Sequence, residues 1–320
     1  MAKVNHRIAR EIKDCMTNLI NVPSWHRLPL ESDQGELFFS PWLLRWRQNH
    51  LWIQLLQQTP WDLAQKRQAL VSCLGFSPVQ HVRLDPQLSE SDILLWANSC
   101  EATGKTLYLR IPTHKQLPQK HSPLQWWIKR GVDWLAALTI LLVLSPILAS
   151  LVVMMRCSDP GPIFFKQWRV GRRGRLFRVY KFRTMVVNAE KLHHQLMGHQ
   201  KGLNKLKDDP RITPMGRWMR KYSLDELPQL LNVLRGEMSL VGPRPWPVYE
   251  AIKIPSHGQH RLDSLPGITG RWQVSARSTL LDLEAVNRCD LDYLSQWSLW
   301  ADCKILLLTI PKVLSGFGAH

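Results

Sequence analysis

An aspartate and a glutamate stand side by side at Asp225 and Glu226, within the run SLDELPQLLNVLR from Ser223 to Arg235. Two kinds of chemistry could use such a pair. A carboxylate at a helix start among basic residues stays ionised, as a nucleophile at phosphorus must. Its neighbour could hold Mg²⁺ against a diphosphate, because Mg²⁺ favours one or two carboxylates together with phosphate oxygens. A plainer account uses the same residues: Ser223 and Glu226 have the S-x-x-E spacing of a capping box, and acids in a first turn complement the helix dipole. Read locally, capping is the simpler account. The surroundings decide otherwise.

Gly242-Pro243-Arg244-Pro245 follows the pair within 20 residues. Prolines on both sides restrict the backbone around Arg244, so a planar guanidinium is presented from a stiff loop. That arrangement suits a phosphate or a base edge, and equally an arginine tied to a structural carboxylate. Pro266-Gly267-Ile268-Thr269-Gly270 is rich in turn formers, and its glycines permit close backbone approach. Between Arg156 and Tyr222 there are 17 Lys and Arg against 4 Asp and Glu, in a chain whose formal charge is +17. An anionic partner follows. Headgroups of anionic lipid are one such partner. Nucleic acid is another, since Phe164, Phe165, Trp168, Phe177, Tyr180 and Phe182 could stack on bases, but no nucleic-acid-binding signature accompanies them. His193, His194, His199 and His257 form no metal-ligand spacing with nearby Cys or carboxylates.

The elements that must position these groups follow from periodicity. Ser223 to Arg235 reads as a helix closed by Gly236. Thr213 caps a helix opened by Pro214, with Met215, Trp218, Met219 and Tyr222 on one face, in the style of a helix lying in a membrane interface. Met238 to Val241 reads as a short strand. From Trp134 to Met155 no residue is charged, and 22 helical residues would extend about 33 Å, enough to cross a hydrocarbon core. Pro146, after Ser145, interrupts that run, and both its flanks are basic: Lys129 and Arg130 before, Arg156 and Lys166 after. A crossing segment cannot satisfy the positive-inside tendency at both ends. A helix that enters one leaflet, breaks at Ser145-Pro146 and returns to the same face does.

Upstream, Val79 to Leu84 and Thr106 to Ile111 alternate as strands around a helical Glu90 to Glu101, a βαβ unit. Pro41 to Gln58, rich in Trp and Leu, is expected to be helical. Ile111 to Pro123 has the composition of a linker. Six scattered cysteines without a C-x-x-C pair fit reduced thiols, and the N-terminus lacks the apolar core of a secretory signal.

Several ordered blocks together resemble the bacterial sugar transferase family, the monotopic phosphoglycosyl transferases. They are Ser145-Pro146, DPGPIFFKQWRVGRRGRLFRVYKFRTM from Asp159, DPRITPMGRWMRKYSLDELPQLLNVLRGEMSLVGPRP from Asp209, PGITG from Pro266, and D-x-K-I-L-x-x-T from Asp302. The likeness covers roughly 124–314. It implies an enzyme that moves a sugar 1-phosphate from a UDP-sugar to polyprenyl (undecaprenyl) phosphate, initiating exopolysaccharide or glycoconjugate synthesis. In that family the Asp of the acidic pair forms a covalent phosphosugar intermediate. Carried over, Asp225 is the nucleophile and Glu226 the Mg²⁺ partner. Lys181 and Arg220 are active-site cations, and Pro243, Arg244 and Pro245 form the nucleotide-recognition loop. The resemblance also implies a cytoplasmic-face location on the bacterial inner membrane. Three departures stand out: Arg271-Trp272-Gln273 after PGITG, Ser275-Ala276-Arg277 beyond it, and a long, His- and Lys-rich Glu190 to Lys207.

The expected architecture is therefore a soluble α/β accessory module at 1–118 and a linker at 119–128. A re-entrant membrane helix at 129–156 follows, then a mostly helical catalytic domain with short β elements at 157–316. Its partners are a UDP-sugar, polyprenyl phosphate and anionic lipids, with no nucleic acid and homodimerisation left open; Mg²⁺ is the cofactor. Two other readings are a membrane-bound interaction protein on the same core, and a glycosyltransferase that moves sugar without phosphate.

Overall fold

The computed structural model describes residues 35–39, 42–47, 50–55, 63–111, 123–189, 209–254, 256–275 and 283–316. The histidine-rich 190–208, Ala276 and Arg277 lie outside them. Two compact units divide the chain: Met1–Pro112 with Arg173–Leu176 and Trp246–Ile254, and the remainder.

The first unit holds a five-stranded sheet in sequential order, β1 (Gly35–Phe39), β2 (Trp42–Arg47), β3 (His50–Leu55), β4 (His81–Leu84) and β5 (Thr106–Leu109). The first three strands pair antiparallel and the last three parallel. Helices α1 (Leu63–Phe76) and α2 (Glu90–Ala102) make the two crossovers and pack on each other. Because strand order advances in one direction, right-handed crossovers put both on the same face. Leu51 and Ile53, Val82 and Leu84, Leu107 and Leu109 are accordingly buried at alternate positions. The βαβ unit is present; the expected helix over Pro41 to Gln58 is not. Register pairs Trp46 with Leu51, Leu44 with Ile53 and Trp42 with Leu55, so the apolar residues recur with period 2 across two strands. A run dense in Trp and Leu hides that alternation from a helical count.

The second unit begins with α3 (Pro123–Ser158), so helix replaces the last residues of the expected linker. This helix is long and apolar enough to cross a membrane, and Leu135, Leu138, Leu142, Val143, Ile147 and Val153 are exposed along it. Its helical hydrogen bonding runs through Ser145 and Pro146, where the re-entrant reading puts the break. Pro146 has no N–H to give to the carbonyl of Leu142, but the Ser145 hydroxyl donates to that oxygen at 2.8 Å. The orphaned acceptor is satisfied within the helix, so the chain need not leave it.

Both halves of α3 pack on the same unit. The N-terminal half joins a core through Ala137, Ile140 and Leu141, with Phe177, Val179, Leu230, Val233 and Leu240. The C-terminal half joins a second cluster through Leu148, Leu151, Val152 and Met155, with Phe182 and Met219. The basic flank that preceded the run proves internal: Lys129 ion-pairs with Asp302 and donates to Val241 O, while Arg130 donates to Met238 O at 3.0 Å.

Further along come β6 (Phe164–Val170), its neighbour β7 (Leu176–Phe182), α4 (Pro214–Lys221), a 3-10 turn at Leu224–Gln229 and α5 (Leu230–Leu234). Strand β8 (Ser239–Val241) pairs parallel with β9 (Gly267–Thr269), and α6 (Arg271–Ser275), α7 (Leu283–Ser295) and α8 (Leu299–Ser315) complete a mostly helical unit with short strands. Ser223 to Arg235 is thus not one α-helix. Pro228 disfavours α geometry in the residue before it and has no N–H to donate, so the chain opens in 3-10 form and turns α only at Leu230. The close at Gly236 is as expected, with φ 78° and Glu237 N–H reaching Asn232 O at 3.0 Å, a Schellman end.

Candidate active site

Strand β7 sets the first part of the site. Side chains two apart share a face, so Lys181 continues the line of Phe177 and Val179, which are buried against Leu230 and Val233. The facing chain is fixed by Asn232 of α5, wholly buried: its amide oxygen accepts Tyr180 N–H at 3.1 Å and its amide nitrogen donates to Arg178 O at 2.7 Å. Asn232 also donates to Glu237 at 2.7 Å. With α5 clamped to β7, the preceding 3-10 turn delivers Glu226 to Lys181, and their ion pair closes at 2.6 Å.

The chain beyond β7 places the second cation. Thr213 N–H donates to Thr184 O at 3.0 Å, and the Thr213 hydroxyl caps α4 by accepting Gly216 N–H at 2.9 Å, as the sequence predicts. A Cβ at Gly216 would stand 2.1 Å from Thr184 O, so only glycine lets α4 lie this close. Seven residues into that helix, Arg220 donates to the Thr184 hydroxyl at 2.8 Å. Burial lowers the Arg220 pKa, the neighbouring carboxylates of Asp225, Asp209 and Glu226 raise it, and Arg211 lowers it. The guanidinium stays charged, because arginine titrates far above physiological pH. Asp209 and Arg211 form their own buried pair at 2.5 Å, which holds the Asp209 carboxyl below its usual range.

Asp225 is buried. Its local frame differs from the expected capping box: Ser223 takes a left-handed conformation, φ 53°, and makes no side-chain cap bond. The backbone supplies the turn instead, with Glu226 N–H on Ser223 O at 3.2 Å. A strained non-glycine residue immediately before an acidic pair is the kind of local cost that functional sites carry.

Lys181, Arg220, Asp225 and Glu226 are therefore one constellation, and it rests on the apolar helix. Phe182, Met219 and Leu224, each the chain neighbour of one of these residues, pack with Leu151 and Met155 of α3.

Arg244 is held by another set of partners. Its backbone N–H is accepted by Asp290, its carbonyl accepts Arg261 at 2.7 Å, and its guanidinium lies over the Trp272 ring at 5.3 Å. Arg261 also donates to Asp290 at 2.5 Å. Pro245 O accepts Arg169 at 2.8 Å, and Pro243 O accepts Gly267 N–H at 2.9 Å. Gly242, Gly267 and Gly270 let the two loops touch: a Cβ on Gly267 would meet Gly242 N at 2.1 Å. Trp272 thus forms the floor under Arg244, with Gln273 donating to Ile268 O at 2.9 Å.

Sequence reasoning passed over Asn232, Thr184, Asp209, Arg211, Arg261 and Asp290. Only DPR around Asp209 and Arg211 offered a local signal, an acid and a base two apart; the others act across 17 residues or more. The basic block is also less available than its count suggests. Arg178 stacks on Trp168 and Arg235 on Tyr180, both at 4.7 Å, and Phe177 and Phe182 are buried. Several aromatics weighed as stacking platforms are engaged inside the fold.

Carboxylates and cations thus gather beside a helix that is apolar, largely exposed and long enough to cross a membrane. The chain belongs to the bacterial sugar transferase family, whose model matches residues 124–316. It is 48% identical over 194 residues to the galactosyl transferase CpsE of Streptococcus agalactiae serotype III, covering 60% of this chain and 43% of the relative. Identity to the exopolysaccharide production protein ExoY of Sinorhizobium fredii is 40% over 201 residues, 60% of this chain and 88% of the relative. A UDP-N-acetylgalactosamine-undecaprenyl-phosphate N-acetylgalactosaminephosphotransferase of Aeromonas hydrophila is 39% identical over 257 residues, 77% of this chain and 55% of the relative. The chain thus spans about half the length of two of these relatives and most of the third.

Proposed function

We propose that this protein transfers a sugar 1-phosphate from a UDP-sugar to polyprenyl (undecaprenyl) phosphate, with Asp225 as nucleophile, at the start of exopolysaccharide or glycoconjugate assembly. The reading rests on family membership, on relatives whose names specify such transfers, and above all on one observation. The acidic pair and its two cations are carried on residues whose neighbours pack against the membrane-suited helix. A lipid-borne acceptor and a water-borne donor must meet at such a place.

In this reading the Asp225 carboxylate attacks the phosphorus that bears the sugar. The P–O bond to the nucleotide breaks, and uridine monophosphate leaves with the electron pair. An oxygen of polyprenyl phosphate then attacks the same phosphorus and displaces Asp225, giving polyprenyl diphosphate sugar. Lys181 and Arg220 stabilise the charge that develops on the leaving phosphate, more in the transition state than before it. Arg244, fixed on both sides of its peptide and floored by Trp272, orients the nucleotide.

Mg²⁺ fits this donor set in a limited way. Among the described residues no three His, Cys, Asp or Glu cluster to hold a metal. Mg²⁺ asks for less, since it keeps water and takes phosphate oxygens, so Glu226 with Asp225 nearby would hold an ion that arrives with the donor. When bound, it would neutralise the diphosphate as a Lewis acid.

For topology, the reading is a monotopic helix that dips into one leaflet from the cytoplasmic face of the bacterial inner membrane. Contact of both halves of α3 with one unit supports it. Cysteines placed at Leu124 and Lys166, both exposed, should be labelled from the same side; opposite sides would favour a true span.

The deciding experiment is exchange of labelled uridine monophosphate into candidate UDP-sugars, with Mg²⁺ and without lipid acceptor. Exchange requires the covalent half-reaction, and Asp225→Asn should abolish it with membrane association intact. No exchange with any sugar, or full turnover by the variant, would overturn the mechanism. Release of uridine diphosphate would instead assign a simple glycosyl transfer.

A further inference from the structure

Among the described residues, helices cover only one face of the first unit's sheet. On the other face stand the alternate residues His50 and Trp52 of β3, His81 and Arg83 of β4, Thr106 and Tyr108 of β5, and Arg110 just beyond it. Register aligns His50 with His81 and Trp52 with Arg83, and Arg83 with Tyr108. The Arg83 guanidinium lies over Trp52 at 5.1 Å and over Tyr108 at 5.5 Å, and Arg110 lies over the same Trp52 ring at 5.7 Å. His81 touches the His50 ring at 5.1 Å and the Tyr108 ring at 5.8 Å.

A sheet face in an α/β module is ordinarily covered or plainly hydrophilic. This one carries half-buried aromatic rings and guanidiniums, with Arg110 exposed at its edge. Among the described residues no carboxylate pairs with Arg83 or Arg110, and the buried Nε of Arg83 and Nδ1 of His81 have no hydrogen-bond partner. His50 has its pKa lowered by burial, then by the charge of Arg83 and by His81, so positive potential is concentrated here. A guanidinium carries its N–H donors in the fork that matches phosphate oxygens, and the exposed Arg110 can present them to solvent.

We infer that this face, centred on Trp52, Arg83, Tyr108 and Arg110, binds a nucleoside phosphate, with the phosphates on the two guanidiniums and the base on the aromatic layer. Charge complementarity selects the anion. Rings and histidines beside the arginines select a planar group attached to it. The three strands span roughly 10 Å, the footprint of one nucleotide. None of these residues belongs to the Lys181, Arg220, Asp225 and Glu226 constellation, so the two readings stand or fall separately.

The test uses the full chain in phosphatidylcholine nanodiscs and calorimetric titration with adenosine diphosphate, inorganic pyrophosphate and an eight-residue oligothymidylate. Adenosine diphosphate should bind, and pyrophosphate about tenfold more weakly for want of a base to stack. Arg83→Gln and Arg110→Gln should each weaken the nucleotide about tenfold, with melting temperature and sugar-phosphate transfer unchanged. Arg110 is exposed, so its variant keeps the test informative even where Arg83→Gln fails to fold. Arg244→Gln should leave this binding unchanged. No binding, equal binding by the Arg110 variant, or a loss confined to Arg244→Gln would overturn the assignment. So would pyrophosphate binding as well as the nucleotide, which would leave a bare anion site. Tighter binding of the oligothymidylate would assign the face to single-stranded nucleic acid instead.

Discussion

Lys181 and Glu226 meet at 2.6 Å across 45 residues of chain, and each is only partly buried. That pair joins the end of β7 to the turn carrying Asp225, so an ammonium sits on Glu226, the chain neighbour of Asp225.

Lys181→Met should therefore depress transfer by about 10²–10³-fold, the usual loss when one preorganised charge is removed from a phosphate site. Lys181→Arg should recover part of it. Single-turnover assays on folded protein decide the matter; half of normal activity in the Met variant would make the pair merely structural.

Asn232 is expected to matter for stability as much as for position. Asn232→Leu strands the Tyr180 N–H and the Arg178 carbonyl in the interior, at about 1–3 kcal/mol for each group. Asn232→Asp keeps the acceptor for Tyr180 but loses the donor and sets a charge beside Glu237. Both variants should melt several degrees lower, and an unchanged melting temperature would show that the amide clamp is dispensable.

Asp290 should give stability a pH dependence. Burial pushes its carboxyl up to about 6, against the opposing pull of Arg261 and Arg244. Between the ordinary carboxylate range and that value the folded chain holds a proton that the unfolded chain releases. Asp290's contribution to stability thus falls as pH rises from about 4 to about 6 and is level above that. Asp290→Asn should remove this slope from a plot of melting temperature against pH, while lowering the whole curve because Arg261 loses its buried partner. A slope that survived the substitution would have to come from another group.

Gly242→Ala should disrupt the loop bearing Arg244. The added Cβ would stand 2.5 Å from Leu265 O and 2.9 Å from Gly267 N, contacts with backbone that cannot swing aside. A cost of at least about 1–3 kcal/mol follows, together with faster proteolysis near Pro266. Gly75→Ala, whose Cβ would meet nothing within 4 Å, is the matched control and should stay near neutral.

Much of this molecule is local in origin and so could be read along the chain. Thr213-Pro214 starts a helix because a hydroxyl and a fixed φ suit that position, Gly236 ends one because only glycine turns so cheaply, and β4, α2 and β5 follow their periodicities. The apolar run of α3 and the order of blocks from Asp159 to Asp302 likewise need no partner to be recognised. Where two local signals competed, the outcome escaped. Trp and Leu at adjacent positions masked the strands at Trp42–Arg47 and His50–Leu55, and Pro228 made a 3-10 turn of an expected helix.

The sequence by itself determined which residues were charged, which were stiff and which segments favoured lipid. Tertiary structure alone decided which of the many cations lie beside Asp225 and Glu226. Lys129, Arg130, Arg211 and Arg261 are as basic as Lys181 and Arg220, yet they are tied to internal acceptors. Charge is a property of one residue; a site is a set of distances, and distances between residues dozens of positions apart exist only once Asn232, the paired glycines and α3 have brought their strands together.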